Sequence, residues 1–476
     1  MTKQRDNVIL GRSMNRRDTL RVAAGIAGGA GLLGSGAIGA AAMPGSRGRT
    51  AFRAQDSEII FLSSQLTPIE EAEKMRNTIL ANFEGSVEFI GEDPGPFADR
   101  IAAEAESGQG SVGVIGGLHG DMAGFVAGDY LEDLTDLAEQ LSDRGISEEY
   151  LDLAKFGGDS VYYIPWMQAS YIMCCHRDAL EHLPDGLDEE TLKTDLIYDH
   201  LLQWATSLNE NVGPMFGLPA GEDGLLHRFF QGYAYPSFTG GLNTTFNSES
   251  AVTMWEWFRQ AWENVNPQAL TYNSMDVPLQ SGEVWVAWDH TARLINALRE
   301  MPDDFVTFPA PRGPEGLGQM PAIAGLAIPK TAPDKEGARA LIDYLTLEET
   351  QLTTLREVAF FPAIDVELPE DLDPGIQAEA DAVQATLADP NVLTSLLPVG
   401  LGEQNGAYNK VFRDTFTAIA VDGGDIPQVL DEQAANLQAV LDTAGASCWT
   451  PDPASDGVCQ VGSGGGGASP EATPAS

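Results

Sequence analysis

Trp166 follows Pro165, Trp288 closes an apolar run, and Tyr171, Tyr233, Tyr235 and Phe360 lie near expected strand ends or loops. Near the same places stand Ser64, Gln65, Asp121, Gln168 and Asp289, which supply hydroxyl, amide and carboxylate groups; Arg356 and Tyr408 are weaker candidates. Rings that can stack on an apolar face, beside groups that accept from hydroxyls, suit a polyhydroxylated solute. Trp166 and Trp288 could equally be ordinary core, and solvated loop polarity is an open alternative for each polar residue. Trp255, Trp257 and Trp262 share one helical stretch, where packing is the expected role.

Other chemistries find little support. The six histidines show no metal-ligand spacing, and no nucleophile elbow, zinc-protease motif or phosphate loop occurs in the body of the chain, so neither metal nor cofactor is expected. Carboxylates are too common here to single out a catalytic pair. Lys+Arg number 27 against 70 Asp+Glu, for a net charge of −43, and a field of that sign repels nucleic acid and anionic membranes. The carboxylate excess reads as a solvated surface, with cation collection as the other possibility.

Elements must position these residues. Glu58 to Leu62 reads as a strand, followed by the capping box Thr67-Pro68-Ile69-Glu70 and a helix with Ile69, Ala72, Met75, Ile79, Leu80 and Phe83 inward. Val87 to Ile90 is a second strand, Pro96 to Ser107 a second helix and Val112 to Ile115 a third strand, the β-α-β-α-β pattern of a parallel sheet covered by helices. In such sheets ligands sit beyond the carboxyl ends of the strands, which marks the loops Ser63 to Leu66 and Gly116 to Asp121. Further on, Val161 to Trp166, Ala169 to Cys175 and Gly282 to Trp288 are expected to be extended, as are Phe305 to Pro309 and Ala322 to Pro329. Tyr198 to Leu208, Leu225 to Tyr233, Ser248 to Trp262, His290 to Arg299, Asp334 to Thr346 and Leu347 to Val358 are expected to be helical, as are Gln377 to Leu387, Ala407 to Val421 and Ile426 to Thr443.

The ends differ from the body. Residues 1–53 hold nine basic and two acidic residues, which leaves the remainder with 18 against 68. Asn15-Arg16-Arg17-Asp18-Thr19-Leu20-Arg21 precedes a Gly/Ala-rich apolar run to Ala42, so residues 1–42 resemble a twin-arginine export signal, with Thr19 where that pattern prefers Phe. Residues 43–55 form a linker. In an exported chain Cys448 and Cys459, around a Pro-containing loop, are expected to form a local disulfide that ties down the segment 446–476, whose end is Gly/Ser/Pro-rich. Cys174-Cys175 lies in an apolar run and reads as buried.

Several segments together resemble a family 1 extracellular solute-binding protein, the capture subunit of an ABC importer. They are Tyr163-Ile164-Pro165-Trp166, the strand leading to His176-Arg177-Asp178-Ala179-Leu180, Leu279 to Trp288, Gly325-Leu326-Ala327-Ile328-Pro329-Lys330, the helix Glu336 to Leu345 with Glu348-Glu349-Thr350-Gln351, and the Pro-bearing Phe361-Pro362. Their order over nearly the whole body carries the resemblance. It implies an α/β, two-lobed, type II periplasmic-binding-protein-like fold, each lobe a sheet flanked by helices, with a ligand cleft between. Lobe 1 would take 56–165 and 310–365; lobe 2 would take 166–309 and 366–445. The resemblance adds Gly325 to the candidate ligand-binding residues. It implies a monomer outside the cytoplasm, partnered by a small-molecule solute and membrane permease subunits, not an enzyme. A carbohydrate is the first expectation for the cargo; a polyamine or other organic cation, or a secreted glycoside-acting enzyme, are the alternatives.

Overall fold

The apolar runs assemble into two main sheets in the computed structural model, which describes residues 58–66 and 69–464. The export-type segment, the linker, Thr67 and Pro68 of the capping box, and the tail from residue 465 lie outside the described residues.

The first sheet has six strands: β1 (Ile59–Ser63), β2 (Val87–Gly91), β3 (Val112–Leu118), β4 (Ile164–Ala169), β10 (Ala322–Ala327) and β11 (Phe361–Pro362). Their spatial order is β11-β4-β10-β3-β1-β2, with β1 parallel to both β2 and β3 and β10 antiparallel to β3 and β4. Strand β3 is buried along nearly its whole length, which explains why Val112-Gly113-Val114-Ile115 is continuously apolar and small rather than alternating. The second sheet orders β6 (Phe216–Gly217), β7 (Val286–His290), β5 (Tyr171–His176) and β8 (Phe305–Phe308). A two-stranded parallel pair joins β9 (Leu317–Gln319) to β12 (Val392–Thr394).

The chain passes between the main sheets at Ser170. Strand β4 pairs with β10 as far as Ala169↔Ala322, and β5 begins at Tyr171. Trp166 and Gln168 therefore belong to the first sheet. The chain returns between β8 and β10 and crosses again after β11, because the helix Pro374–Leu387 packs on β8 and on the helix Thr291–Glu300.

Three local readings change. The helix His119–Ala127 starts directly after β3, so Asp121 occupies a helical first turn rather than a loop. Strand β7 starts at Val286 instead of near Gly282, which brings Asp289 and His290 into the sheet. Ile69, expected to face inward, is 77% exposed at the start of its helix. It lines a groove of about 430 Å³ together with Glu71, Lys74, Asn296 and Arg299.

The helix Glu249–Trp262 is capped by the Ser248 hydroxyl, which accepts from the Ala251 amide at 3.2 Å. It buries Trp255, Phe258 and Trp257, and the Trp257 Nε1 donates to the Tyr198 carbonyl at 2.9 Å. Cys174 and Cys175 are both buried in β5, and burial raises the pKa of each thiol. A disulfide joins Cys448 to Cys459. No helix among the described residues is long and apolar enough to cross a membrane.

Candidate functional site

Strands β1 and β3 end side by side, and the polar groups after them form one cluster. The Ser64 hydroxyl donates to Asp121 Oδ2 at 3.2 Å, and the Leu118 amide reaches the same oxygen at 3.3 Å. Gln65 Nε2 donates to the carbonyl and hydroxyl of Ser64 at 3.0 and 3.2 Å. Burial raises the Asp121 pKa; these hydrogen bonds and the positive charge of Arg228 pull in the opposite direction. His119 stacks on Phe156, and its Nδ1 lies 3.0 Å from the Tyr163 hydroxyl. Burial lowers its pKa to about 4, so the ring is neutral near pH 7.

The second sheet contributes an aromatic nest. Tyr171 stacks flat on Trp288 at 4.9 Å between centroids, with Tyr233 and Phe229 edge-on to Trp288 at 5.3 and 5.2 Å. The Tyr233 hydroxyl accepts from the Tyr171 amide and donates to the Tyr171 carbonyl, at 3.2 and 3.0 Å, and so braces the strand just past the Ser170 crossing. Trp288 is fully buried, and its indole Nε1 has no acceptor among the described residues. His290 stands edge-on to Tyr171 at 4.9 Å. Its Nδ1 accepts from the Ala292 amide, which leaves the proton on Nε2, and burial with the Arg293 charge brings its pKa down to about 3.

Around this nest lie two arginines that carry no ion pair among the described residues. Arg228 is half-buried and donates to Gln231 Oε1 at 2.7 Å, and Gln231 Nε2 donates to Asn409 Oδ1 at 3.1 Å. Arg293, in the first turn after β7, donates to the carbonyls of Asp223 and Asn273. Both charges act on Tyr171, and that of Arg228 also acts on Asp121 and Tyr408.

The expected residues thus divide. Ser64, Gln65 and Asp121 form one group, and Tyr171, Tyr233 and Trp288 another. Trp166 is fully buried against Phe61, its ring lying over Gly116 next to the Ser63 hydroxyl, and its Nε1 also lacks an acceptor among the described residues. Gln168 is engaged by Pro362 and Tyr150, which ties β4 to β11. Asp289 points away from Trp288, since neighbouring strand residues alternate between faces, and accepts from the Met275 and His290 amides at 2.9 and 2.8 Å. Gly325 sits under the Tyr163 ring, where a Cβ would come within 2.2 Å of Cδ2. Arg356 is ion-paired to Asp371 at 2.7 Å on an exposed helix face, and the buried Tyr408 donates to Asn243 Oδ1 at 2.8 Å. Arg228, Arg293 and His290 escaped the sequence reading. Their available signal was position: bases are scarce in this chain, and His290 and Arg293 follow a strand directly.

Two helix-flanked sheets joined at Ser170, one with a polar cluster at its strand ends and the other with an aromatic nest, define a two-lobed binding protein of the type II periplasmic class. The family model for bacterial extracellular solute-binding proteins matches residues 79–352, more than half of the chain, and the chain belongs to that family. Members bind small solutes and hand them to an ABC permease. Among solved structures, the chain is similar to maltose-bound MalE3 of T. maritima, with 18% identity, a TM-score of 0.63, and 81% of this chain and 100% of that one covered. It is also similar to UgpB of Mycobacterium tuberculosis in complex with glycerophosphocholine (19%, 0.62, 81% and 98%). The GacH receptor of Streptomyces glaucescens, solved unliganded and with acarbose, is a third (15%, 0.60, 81% and 98%). No curated protein sequence matches.

Proposed function

We propose that the chain captures a carbohydrate between its lobes and delivers it unaltered to an ABC importer, as a monomer exported by the twin-arginine route. Lobe 1 then runs to Ala169 and resumes through β10 and β11, and the second sheet with the C-terminal helices forms lobe 2. The observation that carries the cargo reading is the cluster of Ser64, Gln65 and Asp121 beyond the carboxyl ends of β1 and β3, where such sheets hold their ligands. Hydroxyl, amide and carboxylate groups gathered at strand ends suit the hydroxyl rim of a pyranose, while the buried stack of Tyr171 on Trp288 braces the second sheet. The maltose and acarbose held by two of the similar structures support it. A polyammonium cargo fits less well, because the positive charges of Arg228 and Arg293 both act on Tyr171 and that of Arg228 also acts on Asp121.

Thermal-shift screening tests this. A sugar at a hundred times its Kd stabilises the protein by about 2.7 kcal/mol, and a clear rise in Tm is expected from at least one mono- or oligosaccharide. A rise with spermidine or putrescine and with no sugar would reject the carbohydrate. Recovery of the sugar chemically unchanged after long incubation tests capture without turnover.

A further inference from the structure

We propose that the segment 395–404 is a strap that closes the solute space from the lobe 2 side, with the Pro398 carbonyl seated on Gly120. The disulfide loop from Cys448 to Cys459 holds the strap in place, so solute retention depends on that disulfide. This rests on the reading that the solute lies beyond β1 and β3, beside Ser64, Gln65 and Asp121.

Gly120 lies in the first turn of the helix His119–Ala127, next to Asp121 and just after the buried strand β3. A Cβ there would stand 2.3 Å from the Pro398 carbonyl oxygen, so two backbones meet with no side chain between them. Gly120 is helical, and this close approach rather than its own conformation requires glycine. Contacts between a backbone carbon and a carbonyl are weak, so what keeps Pro398 there lies behind it.

Pro398 belongs to the connection between β12 and the helix Asn405–Phe416. From Leu397 to Gly400 this connection makes no hydrogen bond among the described residues. Its hold is at the start. The Ser395 amide donates to the Gln319 carbonyl at 2.7 Å, the Ser395 hydroxyl to the Gln231 carbonyl at 2.8 Å, and the Leu396 amide to the Thr450 carbonyl at 3.0 Å. Leu396, Leu397 and Pro398 are buried. Thr450 lies inside the loop that the Cys448–Cys459 disulfide closes. That loop is itself seated, with Trp449 against Tyr408 at 5.4 Å between centroids and the Cys459 amide donating to the Ala446 carbonyl at 2.9 Å. A line of contacts thus runs from the disulfide loop through Thr450 and Leu396 to Pro398 and Gly120. Removing the cross-link returns conformational freedom to the loop and loosens its hydrogen bond to the strap.

Hydrogen exchange on the full chain tests the strap without reference to any ligand. In Cys448→Ser/Cys459→Ser the Leu396 amide should exchange about tenfold or more faster than in the wild type. Gly120→Ala displaces Pro398 from the other end and should speed the same amide; alanine is the better helix former, so the helix itself should not suffer. Should the serine variant fold poorly, as judged by its melting curve, the wild type reduced with dithiothreitol takes its place. Maltose is the probe for retention. Its dissociation rate in stopped flow should rise about tenfold in each variant and no further when they are combined, since both release one strap. Leu396 exchange unchanged in either variant, maltose released at the wild-type rate, or effects that multiply in the combined variant would each overturn the proposal. Maltose that the wild type does not bind would count against the carbohydrate reading, and the exchange result would still decide the strap.

Discussion

Glu379 is fully buried on the helix Pro374–Leu387, and neither carboxylate oxygen has a donor among the described residues. Burial pushes its pKa well above the ordinary carboxylate value, so the folded protein holds a proton there that the unfolded chain releases. Stability linked to this group is therefore greatest below the unfolded pKa, about 4.3, and is lost as pH rises toward the folded one. Glu379→Met removes this loss and should stabilise the protein by about 1–3 kcal/mol near pH 8. In urea denaturation the gap to wild type should shrink toward pH 4; a pH-independent gap would contradict the assignment. Gly325→Ala should act in the opposite direction, by about 1–3 kcal/mol, because the Tyr163 ring occupies the space a methyl needs. At this scale the sequence was a partial guide. It marked Trp288 and Asp289 as one unit, but adjacent strand residues face opposite sides, so only the tryptophan joins the nest. Arg228 had no motif to announce it: Gln231 stands only three residues on, but Asp121 and Tyr171, on which its charge acts, lie far off in sequence.

Elements were easier to read, because hydrophobic spacing reports them directly. The β-α-β-α-β start is present as expected, and the helix boundaries near Ser107, Leu387 and Ile426 agree to within a residue or so. What failed was junctions: β7 is displaced because Val284 packs as core outside the strand, and β4 runs on past Trp166 to Ala169 because β10, distant in sequence, extends its pairing. The disulfide loop Cys448 to Cys459 does more than close on itself. Its buried Asp452 accepts from the amides of Leu242, Asn243 and Thr244 at 3.0, 2.7 and 3.2 Å and from the Thr244 hydroxyl, a cap on a turn some 200 residues earlier. Asp452→Ala should cost at least about 3 kcal/mol and speed hydrogen exchange at residues 242–244, whereas Asp452→Asn, which keeps one acceptor oxygen, should cost less. Exchange unchanged at those three amides would show that the loop is held by the disulfide alone.

Across the whole molecule, one apolar cluster runs from Phe61 and Trp166 in the first sheet through Met167 and Ala169 to Tyr171 and Trp288 in the second. Continuity of that kind couples the lobes, and calorimetry should record a single melting transition with matching calorimetric and van't Hoff enthalpies; two resolved transitions would mean that the lobes unfold separately. The exterior has its own consequence. Residues beyond 53 carry 68 acidic against 18 basic groups. An incoming anionic solute must therefore cross a repulsive halo, and dissolved salt thins that halo from about 30 Å at 0.01 M to about 8 Å at 0.15 M. Stopped-flow capture of such a solute should accordingly quicken as sodium chloride is added, the reverse of ordinary electrostatic steering. A receptor so built would feed best in brine and poorly in rainwater.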